Sequence, residues 1–387
     1  MTLHKNIKLL SLHNFFTDFV LFAPVAILYF QKITGSYALG MSVFSIAYAS
    51  SAFLELPTGI LSDYVGRKKT LILGSLCSVL CIVLYAIGTS YWILVLGALL
   101  QGASRSFYSG NNDALLHDTL KETNQSHQYD EFLGKTSSLF QVGLALSALF
   151  GGVIAYWSFS WVMWISVLPQ LGALVTSLFI NEPKTKDHTP SNIYTHLGTS
   201  IRLFFSQKKL QYLSVASIIR FSLGEAAYFF RSAFVASLWP VWAIGISNML
   251  SNIGAAISFY FSGKIIKKYD YPFILQFEII CNRVVNLTAL LFPTVLSPAF
   301  MSLTSLMFGV GSVATNTLLQ KEFTDSQRAT MGSINSFAGS IAFAVFSVIL
   351  GAIADRFGVI PALVTIHVIL ITPLFFYKKV FQTTTRQ

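Results

Sequence analysis

The sequence predicts an all-α membrane protein of twelve transmembrane helices in two halves. Composition is the first reason: of 387 residues, 54% are hydrophobic and 11% charged, whereas a soluble domain carries about 25% charged residues. Pattern is the second. Twelve apolar runs of about 20 residues or more are each long enough to cross a bilayer as a helix. The third is an internal echo: GGVIA at 151–155 ends the fifth run, and GAIA at 351–354 ends the eleventh.

Taken in order, the first-half spans are 9–31, 37–61, 70–89, 91–119, 134–157 and 160–181. The second-half spans are 211–237, 241–263, 272–293, 296–320, 330–354 and 359–377. The domains are therefore a six-helix bundle over 1–182, a polar linker over 183–210 and a second six-helix bundle over 211–387. Within the linker, residues 193–206 have the pattern of an interfacial amphipathic helix. Residues 9–31 are too long for a signal-peptide core and lack a small-residue cleavage site. Cys77, Cys81 and Cys281 all lie inside apolar runs, so the chain is expected to hold no disulfide framework, no metal and no cofactor.

Charge fixes the expected orientation. With a cytoplasmic N-terminus, 20 of the 26 Lys and Arg fall on the inside and two, Lys32 and Arg356, outside. The other four, Arg105, Arg220, Arg231 and Arg283, lie within spans. This places both termini in the cytoplasm. The net charge of +10 is thus a topology signal, and nucleic acid is not an expected partner.

Ionisable groups inside spans are costly and mark cavities or helix contacts. The first span carries Asn14 and Asp18 one turn apart, with Asp18 about 14 Å deep at 1.5 Å per residue. A carboxylate there needs a cation or a proton. On the fourth span Gln101, Arg105, Ser109, Asn112 and Asp113 form one stripe if the helix is continuous. A solute cavity and helix–helix hydrogen bonding both explain such a stripe. The seventh span holds Arg220, Glu225 and Arg231; Gly224 would bring them together by breaking the helix, or Glu225 pairs elsewhere. Glu55 lies about 12 Å deeper than Asp63 along the second span. Glu278 and Arg283 share the ninth span, while the third and sixth carry no charge. His367 in the twelfth reads as a packing residue.

Residues 59–70, GILSDYVGRKKT, join the second and third spans. Gly59 is expected to admit a neighbouring backbone, and Gly66 to make a sharp turn. Asp63 sits between them, and Arg67, Lys68 and Lys69 follow. A basic loop alone needs neither the Asp nor the glycines at these spacings. The stretch resembles the signature loop of the major facilitator superfamily. In the second half SGKIIKKYDY, 262–271, is a decayed counterpart lacking the Asp and Arg.

The resemblance implies two six-helix pseudo-symmetric halves, a solute site between them near the bilayer midplane, and alternating access. It also makes Gly59, Asp63, Gly66 and Arg67 a cytoplasmic gate, with the start of the eleventh span near Thr330 as its counterpart. Drug–proton exporters of the superfamily carry a Gly- and Pro-rich pattern on the fifth helix. Gly143, Gly151 and Gly152 match it, while Ser147 and Ala148 replace the Gly-Pro pair. Ala98 stands where the fourth helix often has Arg.

The functional expectation is a monomeric secondary transporter in a bacterial inner membrane, not an enzyme. It exports a small organic solute in exchange for protons, without a cofactor. The solute cavity is expected to use Asn14, Asp18, Gln101, Arg105, Ser109, Asn112, Arg220 and Arg231. Asp18, Asp113, Glu225 and Glu55 are the carboxylates that could carry the proton. The four intramembrane arginines also suit an anionic or zwitterionic metabolite such as a carboxylate or siderophore. A non-transporting sensor on the same fold is the alternative from another class.

Overall fold

The computed structural model describes residues 3–122, 124–183, 204, 207–322 and 328–384, and among them no strand occurs. Contacts divide the chain into two compact units, Met1–Thr189 with Pro240–Met249, and Pro190–Trp239 with Leu250–Gln387. The expected linker helix over 193–206 lies, except for residue 204, outside the described residues.

The first unit begins with a span in two pieces, α1 (Leu3–Asp18) and α2 (Ala26–Thr34). Next come α3 (Tyr37–Val65) and α4 (Arg67–Ile87). The fourth span is again two pieces, α5 (Tyr91–Tyr108) and α6 (Asn111–Glu122), followed by α7 (Tyr129–Trp157) and α8 (Phe159–Phe179). The second unit contains α9 (Lys208–Ala236), most of α10 (Val241–Lys268), and α11 (Tyr271–Leu291). Its tenth span is α12 (Ser297–Leu303) and α13 (Ser305–Lys321). Then come α14 (Arg328–Phe357) and a last span of α15 (Val359–Ile369) and α16 (Pro373–Thr384).

The sequence reading placed a single helix at the first, fourth, tenth and twelfth spans, and the structure corrects this. In the first, α1 stops at Asp18, and a 3₁₀ turn over Ala23–Val25, holding Pro24 with no N–H to give, leads into α2. In the fourth, Ser109 turns extended and Gly110 takes φ +69°. The tenth is irregular at Thr304, and the twelfth turns just before Pro373.

Ten helical segments among the described residues are long and apolar enough to cross a membrane. The fourth span falls short because it is broken. The apolar part of the fifth is the shorter stretch Val142–Trp157. Large apolar side chains such as Phe150, Trp164 and Phe277 stand exposed on the helices, as lipid contact requires. Backbone groups remain satisfied within each helix, which is what allows such surfaces in hydrocarbon.

Glycines set the closest approaches in the first unit. A Cβ at Gly151 on α7 would overlap the carbonyl of Leu21, in the break between α1 and α2. A Cβ at Gly152 would lie 2.6 Å from the carbonyl of Trp242, at the start of α10. Two of the exporter-like glycines therefore have a steric reason.

Candidate functional site

The loop after α3 is tied to two other elements of its unit. Gly66 ends α3 and opens α4 at φ +98°, a conformation that suits glycine. The Glu182 carboxylate, just after α8, accepts from the backbone N–H of Arg67 at 2.7 Å and of Lys68 at 2.8 Å. These are orphan donors at a helix N-terminus, where the helix dipole favours a negative charge. A Cβ on Gly66 would lie 2.8 Å from a Glu182 oxygen. Glycine is thus required twice over, by conformation and by space.

Arg67 meets Asp63 at 3.1 Å and Asp118 of α6 at 3.6 Å, and donates to the Ser62 hydroxyl at 2.8 Å. Ser62 donates to Asn111 Oδ1 at 2.8 Å, and Asn111 Nδ2 donates to the Arg67 carbonyl at 3.1 Å. Asp63 is half exposed, so its ion pair is screened and weak. One expectation is corrected here. Among the described residues nothing lies within 4 Å of a Cβ added at Gly59, so none of their backbones approaches it closely. The carboxylate seated on the N-terminus of α4 is that of Glu182. The side chain of Thr330 lies outside the described residues.

The intramembrane polar residues of the first unit meet around the breaks in its first and fourth spans. Asp18 is the last residue of α1, within electrostatic reach of Arg105. Arg105 is exposed, and its guanidinium lies over the Tyr48 ring of α3, 4.4 Å from the centroid. Asn112 of α6 donates to Asn14 of α1 at 3.2 Å, and Ser109 donates to Glu55 of α3 at 3.2 Å. Gln101 accepts from the Tyr85 hydroxyl at 3.0 Å. The single stripe is corrected, because the turn at Ser109 and Gly110 removes Asn112 and Asp113 from the face of α5. Asn112 reaches Asn14 from its own helix, and Asp113 stands exposed.

Gln170 of α8 completes this region. Its Nε2 donates to the carbonyls of Phe16 and Thr17, both at 3.3 Å, and its Oε1 accepts from Ser78 at 2.7 Å. The break in the first span frees carbonyls at the end of α1, and this buried amide takes two of them.

In the second unit the charges lie in the helix core. Arg220 of α9 pairs with Glu278 of α11 at 2.7 Å, and Asn282 donates to the other Glu278 oxygen at 2.8 Å. Gly311 of α13 leaves the room: a Cβ there would lie 2.9 Å from the Glu278 carboxyl carbon. Arg231 donates to Ser251 at 2.7 Å, to Ser302 at 2.5 Å and to the Pro298 carbonyl at 3.2 Å. Arg283 donates to His367 Nδ1 at 3.0 Å, so His367 carries its proton on Nε2. His367 is therefore an ion-facing residue rather than a packing residue. Helix α9 continues through Gly224, so Glu225 stays about 140° round from Arg220. The three charges of the seventh span are not brought together by a break.

Sequence reasoning missed Ser62, Asn111, Asp118, Glu182 and Gln170, each of which acts through a tertiary contact. Only the clustering of Asn111 and Asp118 with the known stripe on the fourth span offered a signal.

The Major Facilitator Superfamily profile matches residues 9–346. The MFS-type transporter YxaM of Bacillus subtilis strain 168 is 21% identical over 374 residues, 93% of this chain and 92% of that protein. Multidrug resistance protein 2 of the same organism is 30% identical over 182 residues, which is 46% of this chain and 44% of that protein. Among solved structures, the nucleoside transporter NupG superposes with a TM-score of 0.82. It is 14% identical, over 97% of this chain and 99% of that one. With twelve spans, a matching fold and a profile covering most of its length, the chain belongs to the major facilitator superfamily of membrane transporters.

Proposed function

We propose that the protein is a proton-coupled secondary transporter that exports a small organic solute across a bacterial inner membrane by alternating access. The observation that carries this reading is Asp18 at the broken end of α1, opposite Arg105. The C-terminal end of a helix disfavours an anion, so ionised Asp18 depends on the Arg105 charge. A proton on Asp18 is the other way to neutralise it. Any event that draws Arg105 away therefore favours proton uptake by Asp18, and Arg105's return favours release. That exchange links a solute-dependent movement to a proton.

Export is supported by the fifth-helix glycines and by a relative named as a multidrug resistance protein. The distribution of Lys and Arg supports a cytoplasmic side for both termini. Everted membrane vesicles test the direction. With an inside-acid pH gradient, vesicles containing the protein should accumulate at least one of ethidium, acriflavine and tetracycline, and lose it when the gradient is collapsed. Accumulation that ignores the gradient would contradict proton coupling.

A second reading, an anionic or zwitterionic solute, is favoured by Arg105 itself. Among the four intramembrane arginines, it is the one whose residue is exposed. An anion there would gain a bidentate fork. In that case Arg105→Lys weakens binding and Arg105→Gln loses most of it.

A further inference from the structure

Around Arg283 the second unit holds more positive than negative charge. Arg283 lies about 18 Å along α11 from Tyr271 and about 12 Å from Leu291, deep in the span. An ionisable group is costly there, and a guanidinium cannot escape the cost by losing its proton. Yet Arg283 makes no ion pair among the described residues. It donates instead to the neutral imidazole of His367, at 3.0 Å. Glu278 is within electrostatic reach, but its two oxygens are taken by Arg220 and Asn282. One carboxylate thus faces two guanidiniums. Arg231, within electrostatic reach of His367, adds to the positive potential.

The same pair leaves donors unused. Arg283 Nε and His367 Nε2 are both buried, and neither has a hydrogen-bond partner among the described residues. Because His367 Nδ1 accepts from Arg283, its Nε2 carries the proton and is a donor. Each unused N–H is one carbon removed from the nitrogen that joins the two side chains. Leaving such donors unmet inside a protein costs their full desolvation. A water would satisfy a donor but not the charge. A lipid phosphate satisfies both but stays outside the hydrocarbon core. A small anion within the helix packing answers the charge and the donors together.

We propose that a small monovalent anion, chloride, binds beside the Arg283–His367 pair, held by the Nε–H of Arg283 and the Nε2–H of His367. It balances the guanidinium that Glu278 does not, and it ties α11 to α15 in the middle of their spans. The anion is a fixed part of the second unit rather than a carried solute. The site therefore does not depend on the transport reading, and the stability of this unit depends on chloride.

The test uses the full-length protein purified in detergent, melted in sodium chloride, sodium bromide or sodium gluconate at equal ionic strength. A ligand of the folded state raises stability with the logarithm of its concentration. Chloride and bromide should raise the melting temperature in that way, and gluconate, too large for the site, should not. Arg283→Met should lose the chloride dependence and melt in gluconate no lower than the natural protein, because a buried charge has been replaced by an apolar side chain. His367→Phe keeps the guanidinium but removes a donor, and should weaken apparent chloride binding at least tenfold. Arg356→Gln, at an exposed arginine, should keep the full dependence. Equal melting temperatures in chloride and gluconate would place a water there and overturn the site. So would an undiminished dependence in either Arg283→Met or His367→Phe, or its loss in Arg356→Gln, which would mark a general salt effect.

Discussion

The two connections that lead into the third and the ninth spans occupy matching places in the two halves, yet they are built differently. At 59–70 the following helix, α4, is capped across the fold by Glu182, and Arg67 is held by Ser62 and faces Asp63 and Asp118. At 262–271 the following helix, α11, is capped by its own Asp270, which accepts from Phe273 N–H at 3.1 Å. The first connection binds three elements of its unit; the second is a local turn. Ion pairs differ as well. The first unit has its Arg67 cluster at a loop, whereas the second, besides Lys209 with Glu322 at helix ends, buries Arg220 with Glu278 among helices. The signature residues of the first loop therefore encode a tie between elements, and a helix end that needs no tie loses them.

The largest expected effect lies in the buried pair. Glu278→Ala leaves the Arg220 guanidinium buried without its carboxylate, a change that costs about 3–5 kcal/mol. A melting temperature close to that of the natural protein would remove the contrast between core and loop charges.

Next come the two caps. Glu182→Ala and Asp270→Ala each remove an exposed carboxylate from a helix N-terminus, and each should cost about 1 kcal/mol. Their transport rates should separate them: Glu182→Ala slows transport, and Asp270→Ala leaves it near normal. Equal losses of transport in both would show that the cap, not the tie, is what matters. The smallest effect on stability is Asp63→Asn, at well under 1 kcal/mol for an exposed pair. Its transport should nonetheless fall sharply with solute affinity little changed; wild-type rates would sink the gating role of the loop.

Much of this arrangement was legible in the sequence. Length and hydropathy located the spans to within a few residues, because a bilayer sets a minimum length that few other features imitate. That Asp18 needs a cation or a proton was visible, but which of the four intramembrane arginines lies near it was not. The breaks were marked by Pro24 and Gly110, but neither residue alone distinguishes a kink from a stop. Glu182 was not legible, since one acidic residue in a polar linker carries no spacing that points to α4. Nor was the Arg220–Glu278 pair, whose members are 58 residues apart and meet only when α9 and α11 pack. Gly59 misled because it sits at a motif position while meeting nothing within 4 Å among the described residues.

The most direct test of the central claim is a comparison of Asp18→Asn with the natural protein in proteoliposomes, using whichever of the three vesicle probes is transported. Two rates are measured: accumulation driven by a pH gradient, and exchange of labelled for unlabelled solute without one. Coupling through Asp18 predicts that the variant loses gradient-driven accumulation and keeps exchange, while Asp113→Asn and Glu225→Gln retain both. Gradient-driven accumulation by Asp18→Asn at the natural rate would contradict it.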